Sequence, residues 1–151
     1  MGLIQKLRSK KVFLDTAPLI YYIEENPQYS VLLNNLFLEN SKGVFLFQTS
    51  VITLLEVLVL PMRMNENQLV EQYQKILCNS TSVNIIDITI DIAKKAASYR
   101  AKYGLKTPDS IQIATAVDAS ADYFFTNDIR LKAVTEIEIL VLDDLIKSYE
   151  K

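Results

Sequence analysis

Five short apolar runs recur along the chain, and longer segments with helical periodicity separate them. Each run is rich in β-branched or aromatic residues, which is typical of a buried strand. Strands that are apolar throughout and alternate with helices indicate an α/β fold with a parallel sheet covered on both faces. The strands are predicted over residues 12–15, 44–48, 83–86, 123–126 and 138–142.

Residues that start or stop helices delimit the segments between these strands. Gly104 stands where a helix is expected to end. Thr107 and Pro108 are expected to begin another, with Thr107 as its N-cap. Pro61 is expected to kink or end the helix that follows the second strand. Helices are predicted over residues 30–39, from a cap at 49–50 to about 60, over 66–78, 91–103 and 107–117, and from a cap at 143–144 to 149.

Composition narrows the class of protein. A chain of 151 residues is the usual size of one domain, so a single domain over residues 1–151 is expected. The net charge of −2 argues against a generally basic nucleic-acid-coating protein but leaves room for a local basic groove. Cys78 is the single cysteine and cannot form an internal disulfide. With no signal peptide and no apolar stretch of membrane-spanning length, a soluble cytoplasmic protein is expected.

Four acidic residues occupy positions at which a carboxylate is not expected by default. Asp15 closes the first predicted strand, and Asp128 follows the fourth. Glu56 interrupts an apolar helical run, and Asp109 follows Thr-Pro at a helix start. If the four meet in space, their repulsion requires a cation, and Mg²⁺ or Mn²⁺ is the natural one for oxygen ligands. Because the chain has no histidine, this pattern favours a metal-dependent hydrolase over a histidine-based enzyme.

Each of these carboxylates also has a structural alternative. Asp15, Asp109 and Asp128 stand at helix starts, where an acid caps the helix or is favoured by its dipole. Glu56 has no such role in the middle of a helix, and an unpaired buried carboxylate costs several kcal/mol. Glu56 therefore needs a cation, a proton or a wet cleft, unless it lies on the helix's only exposed face.

A run of basic residues without acids lies between Ile92 and Pro108. Such a cluster neutralises RNA phosphates or is simply a solvated face. Tyr99 and Tyr103 within it stack either on bases or on core neighbours. The predicted RNA-binding residues are Lys94, Lys95, Arg100, Lys102 and Lys106.

Four segments in a fixed order carry a family resemblance. They are VFLDT at 12–16, the segment 50–57 that ends in LLEV, TPDSIQIATA at 107–116 and FFTNDIRL at 124–131. With them the chain resembles the PIN-domain family over essentially its whole length, and within that family the small VapC-type toxin ribonucleases. The resemblance implies a three-layer α/β/α sandwich with a central, mostly parallel sheet.

The resemblance also implies a function and a set of residues. It implies a cluster of acids that binds Mg²⁺ or Mn²⁺ and cleaves RNA, a co-encoded antitoxin partner and a homodimer. Thr126 matches the serine or threonine that precedes the fourth family acid by two residues. The residues that match the family acids, and are predicted to be both catalytic and metal-binding, are Asp15, Glu56, Asp109 and Asp128.

The predicted mechanism is phosphodiester hydrolysis by a metal-dependent endoribonuclease, the toxin of a type II toxin–antitoxin pair. Asp15 and Asp109 are expected to be direct ligands, while the other two acids complete the site through water or a second metal. Thr16 and Thr126 are expected to orient waters or carboxylates from behind the ligands. No membrane partner is expected.

Two other readings remain open. A catalytically silent PIN-like module would bind RNA or a protein and use its acids as caps and surface charges. A phosphotransfer enzyme is a weaker alternative, because one such fold requires a second Asp two residues after the first, where this chain has Ala17.

Overall fold

A five-stranded sheet, in which all neighbouring strands are parallel, forms the centre of the computed structural model, which describes residues 2–149. The predicted α/β fold is therefore confirmed. The third and fourth strands have the predicted bounds, whereas the second begins at Leu46 and continues to Ser50. The strands are β1 (Lys11–Leu14), β2 (Leu46–Ser50), β3 (Val83–Ile86), β4 (Tyr123–Thr126) and β5 (Glu138–Val141).

Eight helices and one 3₁₀ turn surround the sheet in the described part of the chain. None of the helices is long and apolar enough to cross a membrane. No helix was predicted at α1, and no bounds were predicted for α2, although Asp15 was considered as a cap for a helix at that position. The helices are α1 (Leu3–Leu7), α2 (Thr16–Ile23), α3 (Ser30–Ser41), α4 (Val51–Arg63), α5 (Asn67–Cys78), α6 (Ile90–Tyr103), α7 (Thr107–Asp118) and α8 (Leu142–Tyr149), and the 3₁₀ turn is Ile129–Ala133.

Three boundary predictions were wrong in detail. The cap predicted at 143–144 lies inside the first turn of α8, which begins at Leu142. Helix α4 passes through Pro61 and ends at Arg63, because a proline in the last turn removes a single backbone hydrogen bond and this ring is buried. Thr107 is the first residue of α7 rather than its N-cap, which is Lys106. The hydroxyl of Thr107 instead accepts a hydrogen bond from Arg100 Nη1 at 2.5 Å.

Successive side chains of each strand point to opposite faces of the sheet and enter two separate cores. Val12 and Leu14 of β1 pack with α2, α3 and α5 on one face. Phe13 lies on the other face with residues of α6 and α7, and its ring stacks on Phe124 of β4 at 5.4 Å between centroids. This double burial explains why the strands are apolar throughout, and it makes the three-layer sandwich.

The order of the strands, β3-β2-β1-β4-β5, places a reversal of winding between β1 and β4. The chain moves outward from β1 through β2 to β3, then crosses back to β4 through α6 and α7. In open α/β sheets, a crevice forms beyond the carboxyl ends of the strands at such a reversal, and ligands bind there. Asp15 follows β1 and Asp128 follows β4, so both lie at this crevice.

Gly104 ends α6 in a left-handed conformation, with φ of 69°. A Cβ at this position meets nothing within 4 Å, so a substitution tests the backbone alone. We expect Gly104→Ala to lower the free energy of unfolding by about 1 kcal/mol, and Gly104→Asn to lower it less. Urea denaturation measures both. An unchanged stability in Gly104→Ala would contradict the assignment.

Candidate active site

Asp15 connects the end of β1 to the start of α2. Its Oδ1 accepts a hydrogen bond from Thr16 N at 2.8 Å, so the capping role is real. Its Oδ2 accepts a second bond from Thr126 Oγ1, also at 2.8 Å. The backbone N–H of Asp15 donates to Phe125 O at 2.9 Å. These bonds fix the carboxylate between the two strands at which the winding reverses.

The charge of Asp15 is costly in this position. Burial raises the pKa of its carboxyl from 3.8 to about 6, although the hydrogen bonds from Thr126 and Thr16 oppose that shift. The negative charges of Asp109 and Glu56 raise the pKa further, which shows that the three acids act on one another. A cation bound beside the carboxylate would oppose these effects, because it would favour the ionised form.

Glu56 is exposed, so the premise that it is a buried carboxylate was wrong. Its apolar neighbours suggested burial, but α4 leaves Leu55 and Leu60 59% and 60% exposed. The alternative of an exposed face is therefore the observed one. The side chain nevertheless turns toward the crevice, because Glu56 Oε1 accepts a hydrogen bond from Thr16 Oγ1 at 2.8 Å. Thr16 thus connects Glu56 to Asp15.

Asp109 is half-buried in the first turn of α7, and its carboxylate makes no hydrogen bond or ion pair with residues 2–149. Burial raises the pKa of its carboxyl, and the negative charge of Asp128 adds to the shift. The positive charges of Arg130 and Lys106 oppose it. Of the predicted ligands, Asp109 has the carboxylate most available to an ion.

Asp128 already has a positively charged partner. Arg130 donates from Nε to Asp128 Oδ1 at 3.0 Å and from Nη2 to Oδ2 at 2.7 Å. These bonds hold the pKa of the carboxyl below its usual range. Asp128 also caps the 3₁₀ turn through a bond from Arg130 N at 3.0 Å, so the predicted capping alternative is realised here too.

The two predicted supporting threonines lie between the acids. Thr126 Oγ1 donates to Asp15 and accepts from Asp128 N at 3.1 Å, so it spans the carboxyl end of β4. Thr16 Oγ1 donates to Glu56 and lies 3.4 Å from Thr53 Oγ1. The structure therefore places both threonines in contact with carboxylates, as their predicted role requires.

A buried polar network that the sequence reasoning missed lies beneath the site. Gln112, one turn after Asp109, donates from Nε2 to Thr53 Oγ1 at 2.6 Å. Ser50 Oγ donates to Gln112 Oε1, and all three side chains are buried. Since Thr53 also contacts Thr16, the network connects α7 to α4 and α2. The available signal was a glutamine inside the apolar run of α7.

Four of the predicted RNA-binding residues lie on α6, and the fifth, Lys106, precedes α7. Lys102 forms an ion pair with Glu136 at 3.0 Å, and Tyr99, at 8% exposure, is too buried to stack on a base. Only Lys106, the N-cap of α7, acts on Asp109 and Asp128 through its charge. The remaining members, Lys94, Lys95 and Arg100, lie along α6. Arg130, which sequence reasoning did not single out, does reach the site.

The donor set fits a hydrated divalent ion better than one enclosed by protein. Among residues 2–149, no three acidic or cysteine side chains lie close enough together to hold one ion between them. Mg²⁺ keeps several of its waters and is commonly held by one or two carboxylates. Asp15 and Asp109 provide two such carboxylates without cationic partners of their own among the described residues.

Replacing the costly charge of Asp15 should stabilise the protein in a pH-dependent manner. The pKa of Asp15 is raised to about 6, so the native state binds the extra proton and wild-type stability falls as pH rises through about 4–6. We expect Asp15→Asn to match wild type near pH 4. Above about pH 7 it should be more stable by up to about 3 kcal/mol. Urea denaturation across this range measures the difference.

The control for this prediction is Asp118→Asn, which removes the same charge from the exposed carboxyl end of α7. It should show no comparable dependence on pH. A stability difference between wild type and Asp15→Asn that stays constant with pH would contradict the account of the buried charge.

Several solved structures with the same fold are described as toxins or toxin–antitoxin complexes. A toxin–antitoxin complex from Klebsiella pneumoniae is 23% identical, with a TM-score of 0.64, covering 87% of this chain and 97% of that one. VapBC2 from Rickettsia felis, bound to a promoter DNA fragment, is 20% identical, with a TM-score of 0.63 over 87% and 98%. Mycobacterium tuberculosis VapC20, a toxin that cleaves the sarcin–ricin loop, is 16% identical, with a TM-score of 0.65 over 84% and 98%.

Sequence comparison gives the family directly. No protein of curated function matches the chain. The sequence profile of the PIN domain matches residues 12–137, well over half of the chain, and this span runs from β1 to the loop before β5. It contains Asp15, Asp109 and Asp128 at strand ends and helix starts, and Glu56 within α4. The chain therefore belongs to the PIN domain family.

Proposed function

We propose that the protein is a Mg²⁺- or Mn²⁺-dependent endoribonuclease and the toxin of a type II toxin–antitoxin pair. The observation that carries the proposal is the gathering of Asp15, Glu56 and Asp128 around Thr16 and Thr126 at the crevice where the winding reverses. The raised pKa of Asp15, to which Asp109 and Glu56 contribute, supports it. Folding without a cation at this place leaves the acids repelling one another. Membership of the PIN domain family supports a nuclease, and the similarity to VapC20 supports RNA as the substrate class.

In this proposal Asp15 and Asp109 hold the ion directly, and Glu56 and Asp128 complete the site through water or a second ion. When bound, such an ion lowers the pKa of water and neutralises charge that develops on the phosphate. Asp15 is suited to the role because its two hydrogen bonds fix the carboxylate before any ion arrives. Asp109 is suited to it because its oxygens have no partner among residues 2–149.

Two threonines hold the carboxylates of Asp15 and Glu56 in place. Thr126 supports Asp15 from β4, and Thr16 supports Glu56 from α2. Partners behind metal ligands of this kind orient them and commonly change metal affinity or activity by about 10- to 100-fold. Lys106 stands beside the acids and is the member of the predicted basic cluster best placed to bind the RNA backbone near the site.

We also propose an antitoxin partner and a homodimer, acting in the cytoplasm. Two of the similar structures are described as toxin–antitoxin assemblies, which supports the antitoxin. Large apolar side chains remain exposed on α3, on α4 and at the residue that follows α4 in the single chain, and surfaces of this kind are common at protein interfaces. They are Val31, Leu38, Leu55, Val59, Leu60, Met62 and Met64.

The direct test is cleavage of RNA by the purified protein. We expect cleavage with Mn²⁺ or Mg²⁺ and none with a chelator present. Asp15→Asn and Asp109→Asn should each reduce the rate roughly a hundredfold or more, because each removes a charge that holds the ion. Asp118→Asn, on the same helix as Asp109, should cleave like wild type. Unchanged cleavage in both site variants, with folding shown by circular dichroism, would refute the proposed site.

A second measurement separates the nuclease from a silent binding module. An ion that binds only the folded protein stabilises it by about 1–3 kcal/mol at ten to one hundred times its Kd. We expect millimolar Mn²⁺ to raise the Tm of wild type and of Asp118→Asn by a few degrees, but not that of Asp109→Asn. No effect of Mn²⁺ on wild type would favour the module, in which the acids serve only as caps and surface charges.

A further inference from the structure

Arg130 is the cationic side chain that contacts the acidic site directly. It belongs to the 3₁₀ turn that follows β4. Its guanidinium donates two hydrogen bonds to the carboxylate of Asp128, at 2.7 and 3.0 Å. The side chain is 70% exposed, so it is held only at its tip. Its charge also acts on Asp109, which has no ion-pair partner among residues 2–149. Arg130 therefore lies at the rim of the crevice, in contact with Asp128, and its charge acts on Asp109.

The ion pair between Arg130 and Asp128 is easy to exchange. Exposed pairs contribute little to stability, because water solvates both charges and the long side chain loses entropy when it is held. A guanidinium fork matches a phosphate as well as it matches a carboxylate, and charge-assisted bonds to phosphate are strong. An RNA phosphate that enters the crevice is thus an equivalent partner for Arg130.

We propose that Arg130 is a substrate-binding residue that leaves Asp128 to bind a non-bridging phosphate oxygen of RNA at the cleavage site. This inference rests on the proposed function, and it deepens it by assigning the substrate-binding side of the same site. When Arg130 leaves, the carboxylate of Asp128 loses its positive partner, and its negative charge acts on Asp109 without opposition from that ion pair. The negative charge at the site then rises at the moment when substrate arrives, so RNA and the cation each favour binding of the other.

The test uses three variants of the full chain. Arg130→Gln removes the charge, and Arg130→Lys keeps the charge but loses the fork. The matched control is Lys132→Gln, two residues further on, whose side chain pairs with Asp144 instead of the site acids. Anisotropy measures binding of a short fluorescent single-stranded RNA with Ca²⁺ in place of Mn²⁺, and electrophoresis checks that the RNA stays intact. Calorimetry measures Mn²⁺ binding without RNA.

We expect Arg130→Gln to weaken RNA binding by about tenfold, and the slope of log K against log salt to fall by about 0.7. Arg130→Lys should keep most of the slope but not the full affinity, and Lys132→Gln should behave like wild type. Without RNA, Arg130→Gln should bind Mn²⁺ at least as tightly as wild type, because a competing cation has been removed. A purely structural role for Arg130 predicts weaker Mn²⁺ binding instead.

The outcomes separate this inference from the proposed function. Equal RNA affinity and equal salt slope in Arg130→Gln and Lys132→Gln, in a protein whose wild type cleaves RNA, would overturn only the role of Arg130. Weaker Mn²⁺ binding in Arg130→Gln would also overturn it. RNA binding that depends on Arg130, without any cleavage by wild type, would refute the nuclease and keep the binding role. A wild type that neither binds nor cleaves RNA would refute both.

Discussion

The partly buried negative charge of Asp15 is the constraint on which the rest of the site depends. Parallel strands end together at one edge of a sheet, and the reversal between β1 and β4 opens a crevice there. A carboxylate in that crevice loses water and lies near other acids, so its ionised form is less favourable there than in water. The fold places this disfavoured charge in the crevice, which is where ligands bind in sheets of this kind.

The neighbouring residues reduce this cost unequally among the four acids. The carboxylate of Asp15 accepts two hydrogen bonds, and that of Asp128 forms an ion pair with Arg130. Glu56 accepts one hydrogen bond from a threonine and is exposed to solvent. Asp109 has no direct partner within residues 2–149. This distribution suits a site in which some carboxylates are fixed in advance and others remain free for an incoming ion. The buried hydrogen bonds of Gln112 beneath them connect α7 to α4.

The sequence predicted the sheet well, because strands buried on both faces are apolar throughout and little else has that pattern. It predicted the positions of Asp15 and Asp128 for the same reason, since both follow such strands. It was wrong about the burial of Glu56, because an apolar run does not say which apolar residues stay exposed without a partner. It missed Arg130 and Gln112, whose roles arise only when distant segments meet.

The central claim is that a divalent cation neutralises the charge of Asp15. Calorimetric titration with Mg²⁺ near pH 6, in two buffers of different ionisation enthalpy, tests it most directly. Because the pKa of Asp15 is about 6, ion binding should release about half a proton per ion in wild type and close to none in Asp15→Asn. Binding without proton release in wild type, or equal release in both proteins, would contradict the claim.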